Sequence, residues 1–158
     1  MKEEVWHVHV QRVSYKETDQ MRVVHHANYV NWFEIGRTEW MRESGLPYSK
    51  VESLGLLLPV LDLQVKYFKS AFYDDCVAIY TRLNALSAIR LGFYYEARKI
   101  ENREMTFPQN TDTIEKPEGE LLATGSTQHM WVNAEWKPVR VPQKAPEIFA
   151  LLKERYRY

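Results

Sequence analysis

The stretch Tyr15–Gly45, YKETDQMRVVHHANYVNWFEIGRTEWMRESG, decides how the rest of the chain is read. It opens on a strand end, Val13-Ser14-Tyr15, and turns a polar corner at Lys16-Glu17-Thr18-Asp19. Beyond the corner a helical pattern begins. Tyr29, Trp32, Phe33, Gly36 and Trp40 recur at intervals of three and four, and Val30, Ile35 and Met41 widen the apolar stripe. Asn28 suits an N-cap, because its side-chain oxygen can accept a backbone N–H of the first turn. Gly45 suits the C′ position that closes a helix, and Pro47 prevents continuation. The span between them, about 16 residues, would make roughly 24 Å of helix. A helix apolar over most of its circumference has to be wrapped. Gly36 lowers helix propensity by about 1 kcal/mol relative to alanine, which points to another backbone passing close to it.

On either side of this helix the pattern changes to strands. Trp6, Val8 and Val10 alternate with His7, His9 and Gln11, the period of a half-buried strand with both histidines on a solvated face. After a short polar link at 47–53, Leu61, Leu63, Val65 and Tyr67 alternate with Asp62, Gln64 and Lys66. Cys76–Leu86 and Ala88–Ile100 read as long strands joined near Ser87, and Leu121–Val132 as another. Ala145–Arg155 has the spacing of a terminal helix. Residues 101–120 are polar, aperiodic and interrupted by Pro108 and Pro117, and are expected to form a mobile loop. A strand, one long helix, then consecutive strands predict an α+β domain whose antiparallel sheet, of about five strands, wraps the helix. Residues 1–158 are expected to be a single domain, and its sheet edges call for a second copy.

Composition excludes several classes of function. The 158 residues carry 21 basic and 21 acidic side chains, so no overall field draws the chain to nucleic acid or an anionic membrane. No apolar run is long enough for a membrane span. The single cysteine, Cys76, sits in an apolar strand pattern and rules out an internal disulfide. A buried inert thiol in a reducing, cytoplasmic setting is expected. His7 and His9 have no neighbouring carboxylate or cysteine to complete a metal site, so no metal is expected. G-x-S-x-G, Walker-type, G-x-G-x-x-G, C-x-x-C and H-E-x-x-H patterns do not occur.

What remains is Asp19, just ahead of the helix that begins near His26. Here the run Y-x-E-T-D-x-M-x-V-V-x-H-x-x-Y-x-x-W-F-E-x-x-R, from Tyr15 to Arg37, resembles the signature of hotdog-fold acyl-CoA thioesterases. It is most similar to the 4-hydroxybenzoyl-CoA thioesterase-like branch, which includes the small thioesterases associated with the Tol-Pal system. Val65-Lys66-Tyr67, Ala71-Phe72-Tyr73-Asp74-Asp75 and the tail Lys137–Pro142 extend the likeness over most of residues 5–145, excluding 101–120.

The resemblance implies a hotdog fold, pairing with itself as a homodimer or homotetramer, and hydrolysis of an acyl-CoA thioester. CoA would be part of the substrate, and no separate cofactor is implied. Asp19 would be the catalytic carboxylate, as nucleophile or general base. The His26 position would supply a helix-start N–H that polarises the thioester carbonyl, with its side chain orienting Asp19 or water. Tyr29 would line the acyl pocket, with Trp32, Phe33 and Tyr67 also available to an aryl or fatty-acyl group. Arg90, Lys137 and Arg140 are the cations available to CoA phosphates. Arg22 stands where relatives usually carry glycine, and its guanidinium would meet Asp19 or an anionic part of the ligand. Glu34 is the fallback acid, because some hotdog enzymes use a helix glutamate; its other expected role is an ion pair with Arg37. A non-catalytic acyl-CoA-binding module is the alternative, disfavoured by a carboxylate at the carbonyl position. A dehydratase would need a His and an acid paired on the helix body, and the sequence offers none.

Overall fold

The computed structural model describes residues 5–101, 111–114 and 116–156. Strand β1 (Trp6–Arg12) leads through a short 3₁₀ turn to the long helix α1 (Ala27–Glu43) and a short helix α2 (Tyr48–Ser53). Then come β2 (Val60–Tyr67), β3 (Cys76–Leu86), β4 (Arg90–Ile100), β5 (Thr111–Ile114) and β6 (Glu120–Met130). Helices α3 (Val141–Lys144) and α4 (Pro146–Tyr156) follow. All pairings are antiparallel, in the order β2-β6-β4-β3-β1-β5. This is the α+β layout expected of a hotdog domain, with α1 laid against the inner strands of one sheet. The sheet has one strand more than the sequence pattern suggests: β5 lies within the stretch expected to be a loop and pairs with β1. Residues 102–110 and 115 of that stretch fall outside the described residues.

Helix α1 ends as its sequence requires. Gly45 takes φ +80°, its N–H bonds the Arg42 carbonyl at 3.0 Å and the Leu46 N–H reaches Met41 O at 2.8 Å. These are the paired bonds of a Schellman closure. At the other end Asn28 is not the cap, since the helix already begins at Ala27 with His26 before it. Tyr29, Trp32, Phe33, Trp40 and Met41 are buried along the helix. Gly36 is pressed by side chains of β3 and not by a passing backbone: a Cβ there would lie 2.6 Å from Thr81 Oγ1 and 2.7 Å from Ile79 Cγ2.

Both faces of β1 are covered, which corrects the expectation for its histidines. Trp6, Val8 and Val10 form a second apolar cluster with Cys76, Ala78 and Tyr80 on the side away from α1. His7 pairs with Thr81 and is fully buried on the helix side. The alternation itself is present, but α1 packs against the face expected to be solvated, burying His7 and leaving His9 partly exposed. Cys76 is a free, buried thiol. Among the described residues no helix is long and apolar enough to cross a membrane.

Arg37 turns into the core instead of pairing with the exposed Glu34. Its Nε donates to the Tyr48 hydroxyl at 3.0 Å and Nη1 to the Tyr95 hydroxyl at 3.4 Å. From Tyr95 the chain of contacts continues to Thr127 Oγ1 at 2.6 Å and on to His129 Nε2 at 2.8 Å. His129 Nδ1 faces the Leu58 carbonyl at 3.3 Å. Burial, with the Arg37 charge second, lowers the His129 pKa to about 4, so the ring is neutral at pH 7. Two phenols accept from the guanidinium, and the imidazole further along the chain of contacts stays neutral, so no second buried charge is added.

Candidate active site

Asp19 is held in a tight turn by the backbone around it. Its carbonyl accepts the Arg22 N–H at 2.9 Å and its own N–H donates to Val23 O at 3.0 Å. Its Oδ1 accepts the Met21 N–H at 2.8 Å, closing an Asx turn and fixing the carboxylate plane. Oδ2 faces His25 Nδ1 at 3.7 Å, beyond hydrogen-bond range. Arg22 closes this turn at φ +66°, the left-handed conformation that glycine adopts without cost. The loop therefore keeps the path a glycine would take, and the exposed arginine bears the strain.

The start of α1 is left open. His26 stands before the helix in an α-helical conformation with no side-chain cap. The Asn28 amide nitrogen donates to Glu17 O at 2.8 Å, and its oxygen accepts from Asn31 at 3.2 Å. The one side chain suited to capping is thus engaged elsewhere. Among the described residues no acceptor meets the N–H of His26 or of Ala27. Unpaired N–H groups and the positive end of the helix dipole make this a place for developing negative charge.

A cleft of about 270 Å³ joins these features, lined by Asp19, Met21, Val23, Val24, His26, Tyr29, Tyr67, Phe68, Lys69 and Ser70. Tyr29 is its buried wall: the hydroxyl accepts the Ala71 N–H at 3.0 Å and the ring meets Tyr67 edge-on at 5.4 Å. Burial pushes both phenols above their ordinary pKa, so they stay protonated. The Tyr67 hydroxyl donates to the His26 carbonyl at 2.9 Å, which fixes the residue in front of the helix. A carboxylate, the open helix start at His26 and an aromatic wall around one cleft can activate water or attack directly, and can hold an oxyanion.

Of the residues singled out from sequence, Asp19, His26 and Tyr29 meet in this cleft, and Arg22 lies in the loop beside it on the solvent side. Arg90, Lys137 and Arg140 do not. Arg90 starts β4 opposite Met130, while Val139 and Val141, beside Lys137 and Arg140, bond to Trp131 and Ala88 at the same end of the sheet. Tyr67, in the cleft lining, pairs with Ala123, which pairs with Ala97 of β4, so seven residues of strand, roughly 23 Å at strand rise, separate Arg90 from the level of the cleft. The basic side chain in the cleft is Lys69, whose Nζ meets Glu120 Oε2 at 3.2 Å. Glu34 lies exposed on α1, outside the cleft lining.

Sequence reasoning passed over His25, Lys69 and Glu17. Of the adjacent histidines, His25 carries the imidazole that faces Asp19, and His26 contributes its place at the helix start. Glu17 was legible as the acid three residues after Ser14, a spacing that signals a local side-chain clasp. Nothing in the sequence distinguished Lys69 from other surface lysines.

The profile of the Thioesterase-like superfamily matches residues 13–150. YneP of Bacillus subtilis (strain 168), provisionally named an acyl-CoA thioesterase, is 31% identical over 136 residues, covering 85% of this chain and 86% of YneP. The acyl-CoA thioester hydrolase YbgC of Escherichia coli O157:H7 is 29% identical over 103 residues, 65% of this chain and 75% of YbgC. Among solved structures, a DHNA-CoA thioesterase from Staphylococcus aureus superposes with a TM-score of 0.79 at 30% identity, over 94% of this chain and 89% of that one.

Proposed function

The chain belongs to the thioesterase-like superfamily, and from that premise we propose that it hydrolyses acyl-CoA thioesters to a free carboxylic acid and CoA. The observation that carries this reading is the shared cleft of Asp19 and the uncapped start of α1. The thioester carbonyl carbon sits beside Asp19 with its oxygen toward the His26 and Ala27 N–H groups. As general base, Asp19 takes a proton from water while the oxygen of that water adds to the carbonyl. The oxyanion forms against the helix start, the C–S bond breaks, and the CoA sulfur recovers the proton. As nucleophile, the same carboxylate adds first and water then opens the resulting anhydride; acid and CoA are again the products. Removing one oxyanion donor typically costs about 3 kcal/mol, so the open helix end supplies a substantial part of the rate. The reaction as written uses protein groups and water, with no separate cofactor. Tyr29 and Tyr67 flank the acyl group, and Lys69 stands near the path of the CoA moiety. A buried lone thiol fits a cytoplasmic setting.

The test is a hydrolysis screen over short, long and aromatic acyl-CoAs with free-thiol detection, run on wild type, Asp19→Asn and Glu34→Gln. Asp19→Asn keeps the shape of the side chain and should lower kcat by at least about a hundredfold, with substrate binding retained. Retention of more than about a tenth of kcat would remove Asp19 from the catalytic role. Collapse at Glu34 alone would move the chemistry to the helix body.

A further inference from the structure

We propose that Glu17 is a positioning residue that holds the Asp19 turn in register with the open end of α1. The proposal rests on the hydrolase reading above, because it assigns Glu17 the task of keeping two parts of that site together.

Glu17 is engaged from both its side chain and its backbone. Oε1 accepts the Ser14 N–H at 2.8 Å and the Ser14 hydroxyl at 3.0 Å. Oε2 accepts the indole N–H of Trp32, 15 residues on, at 2.5 Å. Trp32 is fully buried on α1, so this bond fastens the strand end before the Asp19 turn to the body of the helix. The Glu17 carbonyl then accepts the His25 N–H at 2.9 Å and the Asn28 amide at 2.8 Å, on the far side of the same turn. One residue thus secures both ends of the segment carrying Asp19, and through Asn28 it diverts the side chain best suited to capping the helix. Ser14 and Trp32 both present donors to the side chain, and only a carboxylate offers acceptors on both of its oxygens. A glutamine of the same length must turn its NH₂ toward one of them. Two donors of Ser14, one of them a fixed backbone N–H, converge on Oε1, so the glutamine oxygen is best placed there and the conflict falls on the indole N–H.

Three variants test this: Glu17→Gln, Trp32→Phe and the double variant, each with steady-state kinetics and a urea unfolding curve. Loosening the register of two catalytic parts acts on kcat, whereas loss of substrate contact acts on KM. Glu17→Gln should lose about 30- to 100-fold in kcat with KM within about threefold, while remaining folded at the assay temperature. Trp32→Phe removes the conflicting donor. The double variant should regain about tenfold or more in kcat over Glu17→Gln, although it has lost more of the native bonds. A purely structural role predicts the opposite, with the double variant no better than Glu17→Gln and its activity following the folded fraction. That outcome, or a Glu17→Gln enzyme within about twofold of wild-type kcat, overturns the proposal. Wild type and Asp19→Asn run alongside separate the ideas: no hydrolysis by wild type defeats the hydrolase reading, full activity in Asp19→Asn removes Asp19 from the chemistry and with it the positioning role, and a dead Asp19→Asn beside an unaffected Glu17→Gln defeats the positioning role alone.

Discussion

At the residue scale, a backbone angle and a missing Cβ carry the most information. Arg22 at φ +66° follows the glycine path, at a strain of about 1 kcal/mol for a side chain in the left-handed region. Arg22→Gly relieves that strain but frees the unfolded chain by a similar amount, so stability should change by less than about 1 kcal/mol in urea unfolding. If the guanidinium selects among ligands, relative kcat/KM across acyl-CoAs should shift in the same variant; an unchanged profile would make Arg22 a tolerated surface residue. Gly36 carries the opposite lesson. Alanine would gain about 1 kcal/mol of helix propensity, yet its Cβ would meet Thr81 and Ile79 well inside contact distance. Both neighbours are β-branched and stiff at χ1, so they cannot swing aside. Overpacking of this kind costs about 1–3 kcal/mol. Gly36→Ala should therefore be destabilising on balance, by about 1 kcal/mol in the same assay. The sequence showed that Gly36 marks a close approach, but it could not say that side chains, and not backbone, make it. In the same way it pointed to a corner aspartate before a helix but not to which of the paired histidines would face it, because that depends on the turn between them.

At the level of elements, β4 and β6 place the buried chain Arg37–Tyr95–Thr127–His129 against α1. The folded protein keeps His129 neutral, with a pKa of about 4 against an ordinary 6.5. The unfolded chain binds the proton first as pH falls. The contribution of this ring to stability is therefore complete above pH 6.5 and disappears progressively toward pH 4. Between pH 7 and pH 5 the loss should be about 2 kcal/mol. His129→Gln retains a polar partner for Thr127 without titrating, and its urea midpoint should be flatter over that interval; equal pH dependence in both proteins would refute the assignment. The long helix and the four long strands that carry this core were readable from period and composition. Their flanks were less so. The cap predicted at Asn28 failed because the helix starts one residue earlier, at Ala27, and the Asn28 oxygen accepts from Asn31 instead of a first-turn N–H. The short strand β5 was hidden in a polar stretch because backbone pairing with β1, and no pattern of its own, defines it.

For the whole molecule, the sheet ends among the described residues at β2 on one side and β5 on the other. Strand β2 is an edge, and Val60, Leu61, Leu63 and Tyr67 on it, with Phe68 just beyond, are 41–56% exposed. A long apolar edge invites pairing with another chain. A second copy added antiparallel along β2 would also bring its basic Arg90–Arg140 end toward the cleft of the first, which a single chain cannot do. The protein is expected to sediment at twice its 18.8 kDa chain mass or more. Leu63→Lys should shift it toward monomer and weaken activity together, through a charge in the middle of the edge. An active 18.8 kDa monomer at micromolar concentration would count against the pairing.

The open start of α1 also has a consequence for observation. The His26 and Ala27 amide protons are bonded to nothing among the described residues. In the free protein they should exchange with deuterium near the rate of an unstructured peptide, while amides deeper in α1 are protected. When a ketone analogue of the thioester occupies the cleft, its oxygen becomes their acceptor and their exchange should slow. Two backbone protons would then time the arrival of the carbonyl independently of any turnover.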